Sequence, residues 1–259
     1  MSAQAGLIAS LPMYDLPETR AGNDALWSAI RAVLGEGPQA LCRGGDPWDH
    51  WQSPDLILSQ TCGYPYRTRL HGRVTLIGAP VLDLAHLPAG YYSTVMVARR
   101  DDARRDLAQF AGARLAFNDP MSQSGWAAPQ DHARIRGLRF GASIETGAHA
   151  ASIRAVATGQ ADIAGIDILS WTLLQRHCDM ARTLRVVEET PPTPALPYIT
   201  APGRDPERHF AAITAAFASL PAQVRATLGL RGIVRMPAAA YLAVPTPPPP
   251  AGARIDGAP

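Results

Sequence analysis

The chain contains no lysine; all 24 of its basic residues are arginine. Set against 22 acidic residues they leave a formal net charge of +2, too slight a surplus for a nucleic-acid-binding surface. Cysteine is scarce. Cys42, Cys62 and Cys178 are odd in number, far apart and without a CxxC pair, which argues against a disulfide framework and agrees with free thiols. His71 and His86 lack metal-ligand spacing, so neither a metal nor any other cofactor is expected. A Walker motif, a GxGxxG fingerprint, a GxSxG elbow and an internal repeat are all missing. No apolar run is long enough for a membrane span, and "MSAQAGLIASLPMYD" has neither a basic leader nor a long apolar core, so no signal peptide is read there.

What is present is apolar. Hydrophobic residues make up 47% of the 259 and charged residues 18%, which gives a large interior, a lightly charged surface, and room for one large domain or two lobes. "GLIASLPMYD" predicts a short buried strand ending in a loop at Pro12–Asp15. A helix is expected to start at Asn23 and Asp24, to turn Leu26, Ile30, Val33 and Leu34 inward, and to stop at Gly35. "PDLILSQ", "RVTLIGAPVL" and "YYSTVMVARRD" are continuous apolar runs of the kind buried on both faces of a sheet. The alternation continues with "DARRDLAQFAG" as a helix, "ARLAF" as a strand and a helix from about Gly125. The clearest unit is next: a helix from His149 to Thr158, ended by Gly159, then the buried strand "DIAGI". "DILSWTLLQRHC" reads as helix, "TLRVVEE" as strand, and "TPPTPALPYIT" as an extended crossing segment. Two amphipathic helices come next, the first with Phe210, Ile213, Phe217 and Leu220 on one face, and residues 246–259 form a proline-rich tail. Strands alternating with helices predict an α/β fold with parallel sheets, whose ligands bind at the carboxyl ends of the strands.

Four loops come after predicted strands: "PMYD", "SQTCGYPY", "NDPMSQSG" and "ETGAH". In the third, Asn118, Ser122 and Ser124 supply polar groups and Gly125 opens access to the backbone at a helix start, where unpaired N–H groups and the helix dipole favour an anion. Ordinary capping accounts for the same residues. The fourth loop adds Thr146, Gly147 and His149 before a second helix, and two such approaches together make a nest for a tetrahedral oxyanion. Thr61, Tyr64 and Tyr66 end another strand and could wall a cleft or simply pack. Cys62 with His149 and Asp167 is a weaker nucleophile constellation, lacking any local signature.

"ARLAFNDPMSQSGWAAP" together with "TGAHAASIRAVATGQADIAGIDILSW" further along resembles the phosphate, phosphite and phosphonate-binding proteins of ABC transporters, a family of type 2 periplasmic binding proteins. The matching positions are Asn118, Ser122, Ser124 and Gly125; then Thr146, Gly147 and His149; then Ala155, Val156, Gly159, Ala161, Asp162, Ala164 and Asp167. Ala148 stands where the family often has serine. The resemblance runs from about Asp55 to Thr200. It implies a two-lobed α/β fold joined by two crossing strands, with residues 1–90 and 191–245 in one lobe, 91–190 in the other, and the ligand in the cleft between them. It also implies a monomer that performs no bond chemistry, takes a small oxyanion or phosphonate-like ligand, and meets an ABC transporter permease. Ser122, Ser124, Gly125, Thr146 and His149 would hold the oxyanion beside Asn118, while Tyr14, Thr61, Tyr64 and Asp167 would line the cleft. No arginine clamp is legible. The family points to the periplasm and the unread leader to the cytoplasm. An enzyme on the same fold, like those of the menaquinone pathway acting on a small carboxylate, and a cytoplasmic ligand sensor are the alternatives.

Overall fold

The computed structural model describes residues 6–251, so residues 252–259 of the expected tail lie outside it. Among the described residues twelve strands run in chain order: β1 Ile8–Ala9, β2 Leu56–Gln60, β3 Thr75–Leu82, β4 Tyr91–Tyr92, β5 Thr94–Arg99, β6 Leu115–Phe117, β7 Ser143–Glu145, β8 Ile163–Asp167, β9 Leu184–Glu189, β10 Thr193–Pro194, β11 Tyr198–Thr200 and β12 Leu230–Val234. Ten of them build two five-stranded sheets, and the chain divides into two compact units accordingly. The first unit holds Met1–Tyr91 with Pro194–Ala243, the second Tyr92–Thr193 with Val244–Pro259. The chain passes between them through β4 and β10, which pair with each other, and again after Ala243.

In the first unit the strand order is β1-β2-β11-β3-β12. Only β1 and β2 are parallel; β11 and β12 run antiparallel to their neighbours. The expectation of wholly parallel sheets therefore fails here, because strands that return from a crossing segment or a C-terminal helix arrive from the opposite end and need no right-handed crossover. All five residues of β2 are buried, as its uninterrupted apolar run requires. The helix Arg20–Leu34 buries Leu26, Trp27, Ile30 and Leu34 and packs against the helix Pro206–Ser219, and Gly35 ends it at φ +70°. It begins three residues before the expected start. Thr19 and Asn23 both turn their side chains back to the Tyr14 carbonyl, so Asn23 is an internal tie instead of a cap. Val33, assigned to the buried face by spacing, is 55% exposed, because the buried stripe runs through Trp27 and Leu34 and leaves Val33 on its flank.

The second unit has strand order β7-β6-β8-β5-β9, with β7, β6 and β8 parallel and β5 and β9 antiparallel. "DARRDLAQFAG" contains a 3-10 turn, Leu107–Phe110, in place of a full helix; Asp106 and Gln109 close it as a capping box within four residues. The helix His149–Ala157 ends as the sequence suggests, with Gly159 at φ +78°. Asp162 then accepts from the Arg114 backbone and guanidinium at 2.9 and 3.1 Å, which holds its carboxyl down to about 2 despite partial burial. That ion pair ties β6 to β8 at their amino ends. Part of the expected loose tail is also fixed: Trp126 Nε1 donates to the Pro248 carbonyl at 2.9 Å, and Pro250 is buried. Among the described residues no helix is long and apolar enough to cross a membrane.

Candidate ligand-binding site

The carboxyl ends of β6, β7 and β8 lie side by side; β6 and β7 lead into loops that the sequence marks as polar, and β8 runs directly into a helix. After β6, Asp119 Oδ1 and its carbonyl receive the N–H groups of Met121 and Ser122, and this turns the chain sharply. Ser122 caps the next turn: its Oγ accepts from Gly125 N at 2.9 Å. That π turn, Gln123–Ala127, runs straight into the helix Ala128–Ile135. Two glycines shape it. A Cβ on Gly125 would stand 1.9 Å from Asn118 Oδ1, and one on Gly165 of β8 would meet the Ser124 carbonyl at 2.7 Å and Pro129 at 2.3 Å. Glycine at both places lets the serine turn lie against the strand.

The loop after β7 is stitched to this turn by backbone. Thr146 N–H donates to the Phe117 carbonyl and Gly147 N–H to the Asn118 carbonyl, both at 2.9 Å, with Gly147 at φ +83°. The Thr146 hydroxyl is engaged inside the loop as well, 3.0 Å from the Phe117 carbonyl and 2.7 Å from Ser152 Oγ. Thr146 thus positions the loop, a role that its place in the motif does not reveal. The stitch delivers His149, the first residue of its helix, to Ser124: Ser124 Oγ and His149 Nε2 are 3.0 Å apart. His149 is half-buried as a whole, but its Nδ1 is fully inside and has no hydrogen-bond partner; the same holds for Asn118 Oδ1. Burial drives the imidazole pKa down to about 4, so the ring is neutral at pH 7. The Ala148 cap supplies no side-chain acceptor to the helix it precedes.

Asp167 ends β8. It is 2% exposed and its Oδ1 accepts from Ser170 N at 2.9 Å, capping the helix Ile168–His177. Three helix starts therefore gather at one end of the sheet, and of their caps, Ser122, Ala148 and Asp167, only the last is a carboxylate.

Tyr14, Thr61 and Tyr64 belong to the first unit, at the carboxyl ends of the parallel pair β1 and β2. Tyr14 closes the 3-10 turn Pro12–Tyr14 and is buried. Thr61 is 0% exposed; its N–H donates to the Pro197 carbonyl while its hydroxyl is buried without a partner. Tyr64 is buried beneath Arg67, whose guanidinium lies 4.6 Å from the ring centroid. Burial raises the Tyr64 pKa, against the opposing pull of Arg67 and Arg69. Tyr66 packs edge-on against Tyr241 at 5.0 Å, a packing role. The ten residues thus fall into two sets. Asn118, Ser122, Ser124, Gly125, Thr146 and His149 interlock, with Asp167 on the neighbouring strand end, and the remaining three sit in the other unit. The weaker nucleophile constellation gains nothing, since Ser124 holds His149, Asp167 caps a helix, and Cys62 belongs to the first unit.

Sequence reasoning missed Arg67 and Arg69, because "YRTR" carries no spacing that separates a functional arginine from a solvated one. It also missed Ser93, whose hydroxyl donates to Glu189 Oε1 at 2.6 Å beside the passages between units. Only contact across 96 positions reveals that pair.

Comparison with known proteins gives a consistent result. The family model described as "ABC transporter, phosphonate, periplasmic substrate-binding protein" matches residues 77–241. No curated protein sequence matches the chain. Among solved structures, PhnD1 from Prochlorococcus marinus in complex with methylphosphonate aligns with TM-score 0.72 at 13% identity, over 91% of this chain and 94% of its own. A binding protein component of an ABC phosphonate transporter from Pseudomonas aeruginosa aligns with TM-score 0.69 at 16% identity, over 88% and 80%. A Xanthomonas citri protein bound to chloride aligns with TM-score 0.69 at 15% identity, over 90% and 92%. At these identities the structures speak for the fold, that of two-lobed periplasmic binding proteins.

Proposed function

Since this chain belongs to the family of periplasmic substrate-binding proteins of phosphonate ABC transporters, we propose that it captures a small tetrahedral oxyanion, of the phosphate, phosphite or phosphonate class, and presents it to a transporter permease. The observation that carries the reading is the Ser124–His149 pair, joined at 3.0 Å where two helix starts converge, with one buried imidazole nitrogen still lacking a partner. An oxyanion there meets neutral donors in place of a counter-ion. Ser122 accepts from Gly125 and keeps its own O–H to donate. With the proton on His149 Nδ1, Nε2 accepts from Ser124 and Nδ1 donates to the ligand; with it on Nε2, the Ser124 hydroxyl is released instead. Either tautomer leaves the pair one donor to offer. Asn118 and Thr146 hold the loops in register. Asp167, at the neighbouring strand end, is the proposed selectivity residue for the part of the ligand beyond the oxyanion.

No bond-making step is assigned: the histidine is neutral and paired with Ser124, and Asp167 is engaged as a helix cap. The test is isothermal calorimetry against phosphate, phosphite, methylphosphonate and sulfate. Saturable binding of at least one phosphorus oxyanion is expected. Heats no larger than dilution for all four would overturn the proposal.

A further inference from the structure

The first unit has a second polar hollow, of about 220 Å³, that none of the ligand-site residues lines. Its walls include Ser10, Asp15, Arg20, Cys42, Arg43 and His50. Cys42 Sγ stands 3.4 Å from His50 Nε2 and 3.5 Å from the Gly44 carbonyl. Of the three thiols this is the exposed one; Cys62 and Cys178 are half-buried.

The arrangement is built by the segment "CRGGDPWDH". The Cys42 N–H donates to the Ala9 carbonyl at 2.7 Å, which fastens the thiol to the end of β1. Gly45, at φ +84°, reverses the chain, and a Cβ there would come within 3.3 Å of His50 Nε2. Asp46 then caps the short helix Pro47–Gln52 by accepting from Trp48 N, and His50, one turn along, comes back over the thiol. Trp48 and Trp51, in edge contact at 5.0 Å with Trp51 buried, anchor that helix to the unit. Arg43 is clamped by Asp15 on the Pro12–Tyr14 side and by Asp24 on the Arg20–Leu34 helix, at 2.6 and 2.9 Å. Arg20 stands 3.9 Å from the same Asp15. Arg20, Arg43 and Asp15 line the hollow, and Asp24, which does not line it, offsets the surplus cation through its ion pair with Arg43.

An accessible thiol, a base within reach of its proton, and an open space beside both are the requirements of a nucleophilic cysteine. We propose that Cys42 is a reactive thiol that undergoes exchange with a small disulfide admitted by this hollow, with His50 as its base. The Cys42 proton passes to His50 Nε2, and the thiolate attacks one sulfur of the disulfide. A Cys42–S–S–R bond forms as the R–S–S–R bond breaks, and the departing thiolate takes the proton from His50. One disulfide is consumed and one is made, so no further oxidant enters.

The test is exchange with dithiodipyridine, a small neutral disulfide, monitored by absorbance, with the modified cysteine assigned by peptide mass spectrometry. Cys42 is expected to react first, at least about tenfold faster than the same thiol in the denatured chain at the same pH. His50→Ala should remove that advantage, and His50→Gln, which can hydrogen-bond but cannot act as base, should not restore it. Thermal midpoints of both variants, read alongside, report whether they fold; if neither does, the wild-type comparison of folded with denatured Cys42 decides alone. A folded Cys42 no faster than the denatured one, a His50→Ala protein that keeps the wild-type rate, or full rescue by His50→Gln would each overturn the proposal.

Discussion

In the second unit the polar strand ends are held by backbone: Thr146 N–H and Gly147 N–H fix one loop to the other, and Gly125 N–H is spent within its own loop on the Ser122 hydroxyl. In the first unit Thr61 N–H is likewise tied, to the Pro197 carbonyl, but the side chains are held by packing, with the Thr61 hydroxyl buried and unsatisfied and Tyr64 pressed between the core and a guanidinium. The first kind of construction fixes donors in place and tolerates little change. The second leaves side chains whose replacement alters shape and charge without unmaking the loop. The contrast is one of construction, a rigid cradle in one unit and an adjustable set of side chains in the other.

Gly125→Ala should do the most damage if the cradle is rigid. The new methyl would stand 1.9 Å from Asn118 Oδ1, so the turn must move. A loss of about 2–4 kcal/mol of stability, read from the denaturation midpoint, is expected together with loss of measurable oxyanion binding. A variant as stable and as tight as wild type would show that the loop adapts, and the contrast between the units would collapse. Ser124→Ala is milder in structure and more specific in effect. It removes the partner of His149 Nε2 and should weaken every oxyanion by about 1–3 kcal/mol, roughly 5- to 150-fold in Kd, without changing their order. An unchanged Kd would remove Ser124 from the site.

Acid should find the cradle through its histidine. The His149 pKa is lowered to about 4 in the folded protein from an ordinary 6.5. Between those values the unfolded chain binds a proton that the folded chain refuses, so stability falls as pH falls from about 6.5 towards about 4 and levels off below. His132 and His209, whose pKa values burial also lowers, tilt the profile the same way. His149→Asn should therefore make the slope shallower, by about 1–2 kcal/mol across that window, and leave it flat above pH 7. An identical slope in the variant would mean that the imidazole is hydrated and the cradle open.

The strands with uninterrupted apolar runs were legible because burial on both faces leaves such a run no other home, and β2 and β8 show it. The serine and histidine loops were legible as helix starts, because glycine, serine and asparagine at a strand-to-helix junction are the residues that cap one. Their internal economy was not. That Thr146 is consumed as a stitch and Asp167 as a cap depends on which carbonyl or N–H lies about 3 Å away. Spacing does not encode that. The antiparallel returns of β11 and β12 escaped because periodicity records burial but not direction. Arg67 and Arg69 escaped because their partners, Tyr64 and Trp48, are aromatic faces, which leave no complementary charge in the sequence to look for.

The smallest expected effect is the one that most sharpens the comparison. Arg67 covers Tyr64 at 4.6 Å, a contact worth about 0.5–1 kcal/mol at a partly exposed site. Arg67→Ala should therefore lower stability by about 0.5–1 kcal/mol, read from the denaturation midpoint, and leave methylphosphonate binding within about twofold of wild type. Ser124→Ala should do the reverse, lowering binding with little change in the midpoint. A binding loss in Arg67→Ala as large as that in Ser124→Ala would put the arginine in the same role as the serine, and the units would then differ in construction but not in function.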